Sequence, residues 1–443
     1  MIRPSSFATH TISHHPRGES VMRILAAAIQ AVEPGAAVSH YICREENSLI
    51  IDRREYPLDE IRHIRVLGLG KACLAMTRPL ANLLPPHATR GLLIPKGTPA
   101  DPPSGFDLQP GGHPLPDENS LCAGEKASAL VRGLNEDDLL LCLVSGGGSA
   151  LMTLPQAGVS LEDLRFLTSS LLTCGARVDE INILRRHLDQ LKGGGLARLA
   201  SPARVVSLIL SDVVGSPLEA IASGITAPDP STRADALSVL EKYGLMKKIP
   251  PSILAALKTI PETPKPEEAL FARVHNVIVG SNAQAAAAAR RQARSDGFHP
   301  ILLGNDWQGE ASEVGRKLGH ILKTITPPRP FCLIAGGETT VTVRGRGRGG
   351  RNQELALAAA RELAGAPNVM LVSLATDGED GPTDAAGAVT TGETLERGMQ
   401  LKLSPETFLE DNDAYTYFSA LNDLLKPGPT GTNVNDLMLG FGW

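Results

Sequence analysis

The sequence predicts an α/β protein built from two domains. Its 443 residues exceed what one hydrophobic core usually organises. Apolar strand-like runs alternate with helix-like segments throughout the chain, in two blocks, which is typical of α/β folds. Each block has glycine-rich loops where strand-like runs end. Ligands of open parallel sheets bind at that edge, so the loops are the first candidates for a functional site.

Composition and charge exclude several classes of protein. A hydrophobic content of 42% and a charged content of 21% are ordinary for a soluble globular protein. The net charge of −5, with 43 basic and 48 acidic residues, argues against a nucleic-acid binder. The six cysteines have no paired spacing, which favours reduced thiols in the cytoplasm over disulfides or zinc sites. No apolar run approaches the roughly 18 residues of a membrane span, so we expect no membrane association.

The domain boundary is predicted from a shift in composition. Lysine, proline and glutamate accumulate at 247–268, which makes this segment the best candidate for an interdomain crossing. We therefore expect an N-terminal domain at 1–240 and a C-terminal domain at 241–443. Residues 1–18 lack the apolar core of a secretion signal and are expected to form a loose extension. The strand-like run at 274–280 is expected to open the second domain.

The strongest ligand-binding signal lies at 143–152. A buried strand-like run leads into three consecutive glycines flanked by serines, and a helix-like segment follows. Without Cβ atoms, such a backbone can turn successive N–H groups towards a phosphate or carboxylate. A glycine-rich turn that only joins a strand to a helix is the alternative. The candidate residues of this segment, the SGGGS loop, are Ser145, Gly146, Gly147, Gly148 and Ser149.

A second loop places Lys71 directly after a strand-like run and before a helix-like one. It is not a dinucleotide fingerprint, because Cys73 stands where glycine is needed. Nor is it a P-loop, because Arg65 and Ala72 stand where glycine and a hydroxyl residue are needed. A lysine at this position can still bind an anion that the helix N-terminus also attracts. The alternative is a solvated surface lysine.

Other polar residues of the first half are weaker candidates. Asp212 follows a strand-like run and could bind Mg²⁺ beside phosphates, or it could cap a turn. Arg185, Arg186 and Lys192 place positive charge near a run of glycines, although most charges on helices face water. His113 is interpreted as a loop histidine with an ordinary hydrogen bond.

The second half contains a cation and several acids at strand ends. Arg351 stands in a glycine- and arginine-rich segment before a helix, where it can bind an anion; a nucleic-acid-binding segment of this kind would be longer. Glu338 follows another strand-like run. Asp377 and Asp384 belong to an acidic loop that suits metal coordination or proton abstraction, with a capped turn as the alternative.

Nine ordered motifs resemble the glycerate 2-kinase family, also called type II glycerate kinases, whose C-terminal part is the MOFRL domain. Members of this family were often labelled hydroxypyruvate reductases. The resemblance covers roughly residues 20–443. The motifs are GLGKA (68–72), GGHPLPDENS (111–120), VSGGGSALM (144–152), LKGGGLA (191–197), LSDVVGSPLEAIASGITAPDPST (210–232), GGETTV (336–341), GGRNQELAL (349–357), ATDGEDGPTDAAGA (375–388) and TGTNVNDL (430–437).

The resemblance implies a fold and an activity. It implies two three-layer α/β/α domains with the active site in the cleft between them. The first would be Rossmann-like with a mainly parallel sheet, and the second, with the MOFRL region at about 330–437, would have a mixed sheet. The implied reaction transfers the γ-phosphoryl group of ATP to the 2-hydroxyl of D-glycerate with Mg²⁺, giving 2-phosphoglycerate. A monomer or a homodimer is expected.

The family's catalytic residues correspond to Lys71 and Arg351 in this chain. Lys71 would neutralise the transferring group, and Arg351 would bind either the carboxylate of glycerate or the γ-phosphate. The resemblance also suggests Lys192, Asn282 and Glu338, beside the SGGGS loop, as nucleotide- or phosphate-binding residues. Asp212 is the candidate for Mg²⁺, and Asp377 or Asp384 would orient the substrate hydroxyl.

This chain departs from the family at one loop and leaves two other functions open. The family commonly has Asp-Asp after SDV-x-G, where this chain has Ser216 and Pro217, so Asp212 is the remaining acid. A reductase that uses NAD(P)H is one alternative, but the failed fingerprint at Cys73 argues against it. A non-catalytic sensor of nucleotides or sugar acids is the other.

Overall fold

The computed structural model describes residues 2–85, 89–98 and 101–443. Its α-helices are α1 (His10–His14), α2 (Gly18–Gln30), α3 (Pro34–Tyr41), α4 (Cys73–Thr77), α5 (Glu118–Val131), α6 (Gly148–Leu151), α7 (Leu161–Thr173), α8 (Val178–His187), α9 (Gly195–Ala200), α10 (Arg233–Lys242), α11 (Pro251–Thr259), α12 (Asn282–Ser295), α13 (Ala311–Thr324), α14 (Arg351–Leu363), α15 (Thr394–Gln400), α16 (Pro405–Glu410) and α17 (Ala414–Leu421).

The strands are β1 (Ile42–Glu45), β2 (Ser48–Ile51), β3 (Arg54–Pro57), β4 (Ile64–Leu69), β5 (Thr89–Ile94), β6 (Asp107–Leu108), β7 (Leu139–Val144), β8 (Arg204–Leu210), β9 (Val274–Gly280), β10 (His299–Glu310), β11 (Phe331–Thr340), β12 (Val369–Ala375), β13 (Gly387–Thr391), β14 (Leu424–Leu425) and β15 (Asp436–Gly442). They form two six-stranded sheets and one three-stranded antiparallel sheet of β1, β2 and β3.

The chain divides into two compact α/β units. One, the parallel unit, contains residues 37–211 and 216–279; the other, the mixed unit, contains 1–36, 212–215 and 280–443. The main division therefore falls at 279/280 instead of the expected 240/241. The segment at 247–268, expected to cross between domains, lies within the parallel unit and includes α11, because the apolar residues of α11 pack against those of α8 and α10.

The parallel unit is built on a sheet in the order β6-β5-β4-β7-β8-β9. The neighbours from β6 to β8 are paired in parallel. Every residue of β7 is buried, as expected for a central strand covered by helices on both faces. The expectation that the strand at 274–280 opens the second domain is wrong: this run is β9, the last strand of the first sheet.

The mixed unit is built on a sheet in the order β10-β11-β15-β12-β13-β14. Strand β10 is parallel to β11, whereas β15 is antiparallel to both β11 and β12. Phe331 and Leu333 of β11 pack with the apolar residues of α13 and α14. Their sequence neighbours Cys332 and Ile334 are also buried, so the sheet is covered on both faces. The two sheets confirm the prediction of a mainly parallel and a mixed α/β domain.

The N-terminal residues are packed, which corrects the expected loose extension at 1–18; Met1 lies outside the described residues. Phe7 and Ile12 are fully buried. The backbone N–H and the hydroxyl of Thr11 each donate to a carboxylate oxygen of Asp423 at 2.7 Å. The extension was expected because its sequence has little hydrophobic periodicity. Two buried apolar side chains and one long-range hydrogen-bonded carboxylate are sufficient to order it.

Other local differences have simple causes. The helix expected after Lys71 ends at Thr77, two residues before Pro79, and a short 3₁₀ turn (Leu80–Asn82) follows. In the described part of the chain, no single helix is long and apolar enough to cross a membrane; α2 and α3 meet that test only as a pair, bent by 65°.

Candidate active site

Two of the predicted loops meet at the carboxyl edge of the parallel sheet. After β4 the chain builds β5 and β6 on one side, and it then places β7 and β8 on the other side. The loops that follow β4 and β7 therefore leave the sheet side by side at a topological switch point, where α/β proteins bind ligands. Lys71 follows β4, and the SGGGS loop follows β7.

Backbone hydrogen bonds hold the two loops together. The N–H of Lys71 donates to the carbonyl of Gly146 at 3.0 Å, and the N–H of Ala72 donates to the Ser145 hydroxyl at 3.0 Å. Gly70 has a φ of +116°, and a Cβ there would lie 2.4 Å from the Ser145 carbonyl. Glycine is therefore required for this close approach. Ser145 is 1% exposed, and its buried hydroxyl therefore joins the two loops and does not face solvent.

The SGGGS loop presents backbone donors that the protein leaves unused. Within the described residues, the N–H groups of Gly146, Gly147, Gly148 and Ser149 donate to no acceptor. The Lys71 side chain is exposed and likewise has no hydrogen-bond or ion-pair partner in the described chain. Successive free N–H groups beside an unpaired ammonium are an arrangement that can bind an anion.

His113 faces the SGGGS loop, although its sequence context indicated only an ordinary loop residue. A Cβ placed on Gly147, whose φ is +86°, would lie 3.5 Å from Nε2 of His113 and 3.5 Å from Cε of Lys71. The imidazole and the lysine therefore face the same point of the loop. Desolvation, followed by the charges of Lys71 and Lys96, lowers the pKa of His113, so its ring is neutral at pH 7 and can accept a proton.

A segment with strained backbone, which contains Ala222 and Ser223, packs beside the SGGGS loop. Ala222 and Ser223 have φ values of +48° and +56°, which are rare for residues with a Cβ. The Ser223 hydroxyl lies 2.8 Å from that of Ser149, and the Ser223 carbonyl accepts the N–H of Gly193 at 2.9 Å. The loops around the SGGGS loop thus fix its last serine.

Arg351 lies in the mixed unit and is held by two acids. Its Nε and Nη2 donate to the two carboxylate oxygens of Asp436 at 2.6 and 3.0 Å. Its Nη1 donates to Oε1 of Glu338 at 2.9 Å. The sheet explains this geometry: Asp436 opens β15 and pairs with Gly337 of β11, immediately before Glu338. Sequence analysis did not find Asp436, whose only signal was its place in the TGTNVNDL motif.

A third acid, Asp380, lies at the N-terminal end of α14. Asp380, 2% exposed, accepts the backbone N–H groups of Asn352 and Gln353 at 3.1 and 2.9 Å, and it therefore caps the helix. Arg351 is thus outnumbered by carboxylates. Burial raises the pKa of Asp436 to about 7 despite the opposing effect of Arg351. Burial lowers the pKa of Arg351, but the nearby acids outweigh it and raise that pKa overall.

Comparison with known proteins places the chain in a family. A family model described as a domain of unknown function (DUF4147) matches residues 20–258, and the MOFRL family model matches 331–436. D-glycerate 2-kinase of Thermotoga maritima is 40% identical over 426 residues, covering 95% of this chain and 97% of the relative. The chain belongs to the glycerate kinase family. The resemblance inferred from the nine motifs is confirmed.

A solved structure and another relative are also similar to this glycerate kinase family member. A crystal structure of a glycerate kinase from T. maritima matches with a TM-score of 0.86 and 39% identity, covering 96% of this chain and 99% of that one. A putative hydroxypyruvate reductase of Agrobacterium vitis is 40% identical over 379 residues, covering 84% of this chain and 85% of the relative.

Two other predicted site residues, Lys192 and Asn282, have their side-chain donors bound to groups of the protein. The ammonium of Lys192 is buried and donates to Asp189 at 2.5 Å and to the Met152 carbonyl at 3.1 Å. The Asn282 amide donates to the carbonyls of Val434 and Asp436 at 2.9 and 2.8 Å, so it fixes the entry to β15.

Three predicted acids belong to the mixed unit. Asp377 is partly buried directly after β12, and Asp212 is partly buried after β8. Asp384 is exposed instead, where it accepts hydrogen bonds from Tyr415 and Lys426 that lower its pKa.

Asp436 gives the stability of this glycerate kinase family member a testable dependence on pH. Its folded pKa of about 7 lies above the ordinary value of 3.8, so the folded protein holds this proton more tightly than the unfolded chain. The resulting stabilisation is complete below the unfolded pKa and is lost as the pH rises through about 7. Relative to Asp436→Asn, the unmodified protein is therefore expected to lose thermal stability between about pH 4 and about pH 8. A difference in unfolding midpoint that is independent of pH would contradict this assignment.

Proposed function

We propose that the chain transfers the γ-phosphoryl group of ATP to the 2-hydroxyl of D-glycerate, with Mg²⁺, and releases ADP and 2-phosphoglycerate. The observation that carries the proposal is the set of unused N–H groups of the SGGGS loop beside the unpaired ammonium of Lys71. Phosphoryl transfer requires mainly positioning and neutralisation of charge, and these groups supply both. The names of the relatives support glycerate as the acceptor.

Each residue has a proposed role in this reaction. The SGGGS loop binds phosphate oxygens, and Lys71 stabilises the charge on the transferring group. The guanidinium of Arg351 stabilises the same charge and is held in position by Asp436 and Glu338. The proton of the attacking hydroxyl needs an acceptor; Asp377, predicted from the sequence, and the neutral imidazole of His113 are our two candidates.

Mg²⁺ fits the oxygen donors that the chain offers. When the ion is carried by nucleotide phosphates, one or two protein carboxylates are sufficient. Asp212 is our candidate ligand. Glu338 is a second one, because its Oε2 has no partner among the described residues while Oε1 binds Arg351. When bound, the ion would offset the negative charge of the phosphates.

An assay of ADP release tests the proposal. Purified protein is supplied with ATP, MgCl₂ and D-glycerate, and ADP is followed by a pyruvate kinase and lactate dehydrogenase couple. ADP formation that depends on D-glycerate is expected. A parallel reaction contains hydroxypyruvate and NADH without ATP. Oxidation of NADH there, together with no ADP formation in the first reaction, would replace the kinase proposal by a reductase.

Gly147 offers a matched test of the SGGGS loop. Gly147→Ala is expected to lower kcat/KM by at least about tenfold, because its Cβ would approach His113 and Lys71 at 3.3 to 3.5 Å. It should also cost about 1 to 2 kcal/mol of stability, because its φ is positive. Gly158→Ala is the control, since Gly158 has a φ of +83° with nothing within 4 Å of the added Cβ. Equal activities of the two variants would contradict the role of the loop.

A further inference from the structure

Arg185 is a partly buried cation without a countercharge. It lies on α8, and its single hydrogen bond to another residue joins Nη1 to Oδ1 of Asn182 at 3.4 Å. Within the described chain, no carboxylate oxygen lies within 4.0 Å of its guanidinium. The next residue, Arg186, shows the usual solution: its Nε lies 2.8 Å from Asp229. Desolvation alone lowers the pKa of Arg185, but an arginine stays protonated at neutral pH.

The side chain of Arg185 lines a small cavity that also touches the SGGGS loop. The cavity, which we call the Arg185 pocket, has a volume of about 40 Å³ and is bounded by α7, α8 and Ser149. Leucines form much of its wall. The charged groups that line it are Arg185, Asp189 and Lys192. Lys192 and Asp189 neutralise each other at 2.5 Å, so the pocket keeps one net positive charge from Arg185.

Size and charge together define the group that fits the pocket. Little space for water molecules is left in the pocket, so it suits a small end group of a ligand. The group must be an anion, because an uncompensated charge near apolar walls is unfavourable. A carboxylate satisfies both conditions and matches the planar donors of an arginine. The remainder of such a ligand would extend from Ser149 along the SGGGS loop.

We propose that Arg185 binds the carboxylate of the hydroxyacid substrate and thereby selects small 2-hydroxycarboxylates over neutral polyols. This inference rests on the proposed function for the identity of the substrate. It separates two tasks within the protein: the SGGGS loop and Lys71 bind the phosphoryl group, whereas Arg185 binds the opposite end of the acceptor. Arg351, already held by Asp436 and Glu338, is then not needed for the carboxylate.

The test compares Arg185→Met with Arg185→Lys and with the exposed control Arg132→Met. Loss of hydrogen bonds to a charged group costs about 1.5 to 3 kcal/mol, so Arg185→Met should raise the KM for D-glycerate by about 10- to 150-fold. The KM for ATP should not change, and Arg185→Lys should recover part of the loss. A residue needed only for folding would instead lower the unfolding midpoint. Because its charge has no partner, we expect Arg185→Met to unfold at the same temperature or higher.

Direct binding separates this inference from the proposed function. Calorimetric titration with D-glycerate alone, without ATP, should show binding to the unmodified protein and to Arg132→Met, and none to Arg185→Met. If the unmodified protein binds D-glycerate through Arg185 but transfers no phosphate, the kinase proposal is wrong, whereas the binding of the carboxylate by Arg185 is supported. If the unmodified protein phosphorylates D-glycerate and Arg185→Met keeps the original KM, the role of Arg185 is overturned, whereas the kinase proposal is supported. A lower unfolding midpoint with unchanged glycerate binding would also overturn it.

Discussion

Lys71→Ala is expected to reduce kcat for D-glycerate phosphorylation by at least about 100-fold, because removal of one preorganised group that stabilises developing charge has an effect of this size. The unfolding midpoint should not fall, since the Lys71 side chain is exposed and its structural contact is made by its backbone N–H. Lys248→Ala is the control: it removes an exposed lysine of the same unit, distant in sequence from both loops. Retention of more than about a tenth of the activity by Lys71→Ala would remove Lys71 from the mechanism.

Arg351→Ala is expected to lower both activity and stability. Asp436 is 1% exposed, and loss of its guanidinium partner leaves a buried carboxylate with Asn352 as its remaining side-chain donor. Above pH 7, where Asp436 is ionised in the unmodified protein, breaking this buried ion pair typically costs about 3 to 5 kcal/mol. The loss in kcat should reach about 100-fold or more if Arg351 also stabilises the transferring phosphoryl group. Urea unfolding and steady-state kinetics measure the two effects separately.

A double variant distinguishes the two roles of Arg351. In Arg351→Ala/Asp436→Asn the buried charge is removed together with its partner, so much of the lost stability should return. The activity should not return, because the guanidinium is still absent. If the double variant regains activity along with stability, Arg351 acts only by holding Asp436, and its proposed contact with the phosphoryl group is wrong.

The features that can be predicted from the sequence are those with a local cause. The SGGGS loop could be recognised because consecutive glycines after an apolar run let the backbone turn several N–H groups towards one point. The cap of α5 also has a local cause: the carboxylate of Asp117 accepts the Ser120 N–H three residues on, at 2.9 Å. The assignment of the two sheets as mainly parallel and mixed came from the family resemblance and is confirmed.

The features that were missed depend on contacts between distant residues. Asp436 reaches Arg351 across 85 positions because β15 inserts antiparallel between β11 and β12. His113 joins the site because its ring packs against Gly147. Arg185 looked like one of several helix charges, and nothing local in the sequence indicated that its neighbour Arg186 has an acidic partner whereas Arg185 has none. The domain boundary was misplaced because β9 resembles any strand until its sheet partners are known.

Identification of the phosphorylated product tests the central claim most directly. The product of D-glycerate, ATP and Mg²⁺ is passed to enolase, with and without added phosphoglycerate mutase. Formation of phosphoenolpyruvate without the mutase is expected, because enolase accepts 2-phosphoglycerate directly. A strict requirement for the mutase would mean that the 3-hydroxyl is phosphorylated and that the proposed position of the acceptor is wrong. No phosphoglycerate in either reaction would contradict the kinase proposal itself.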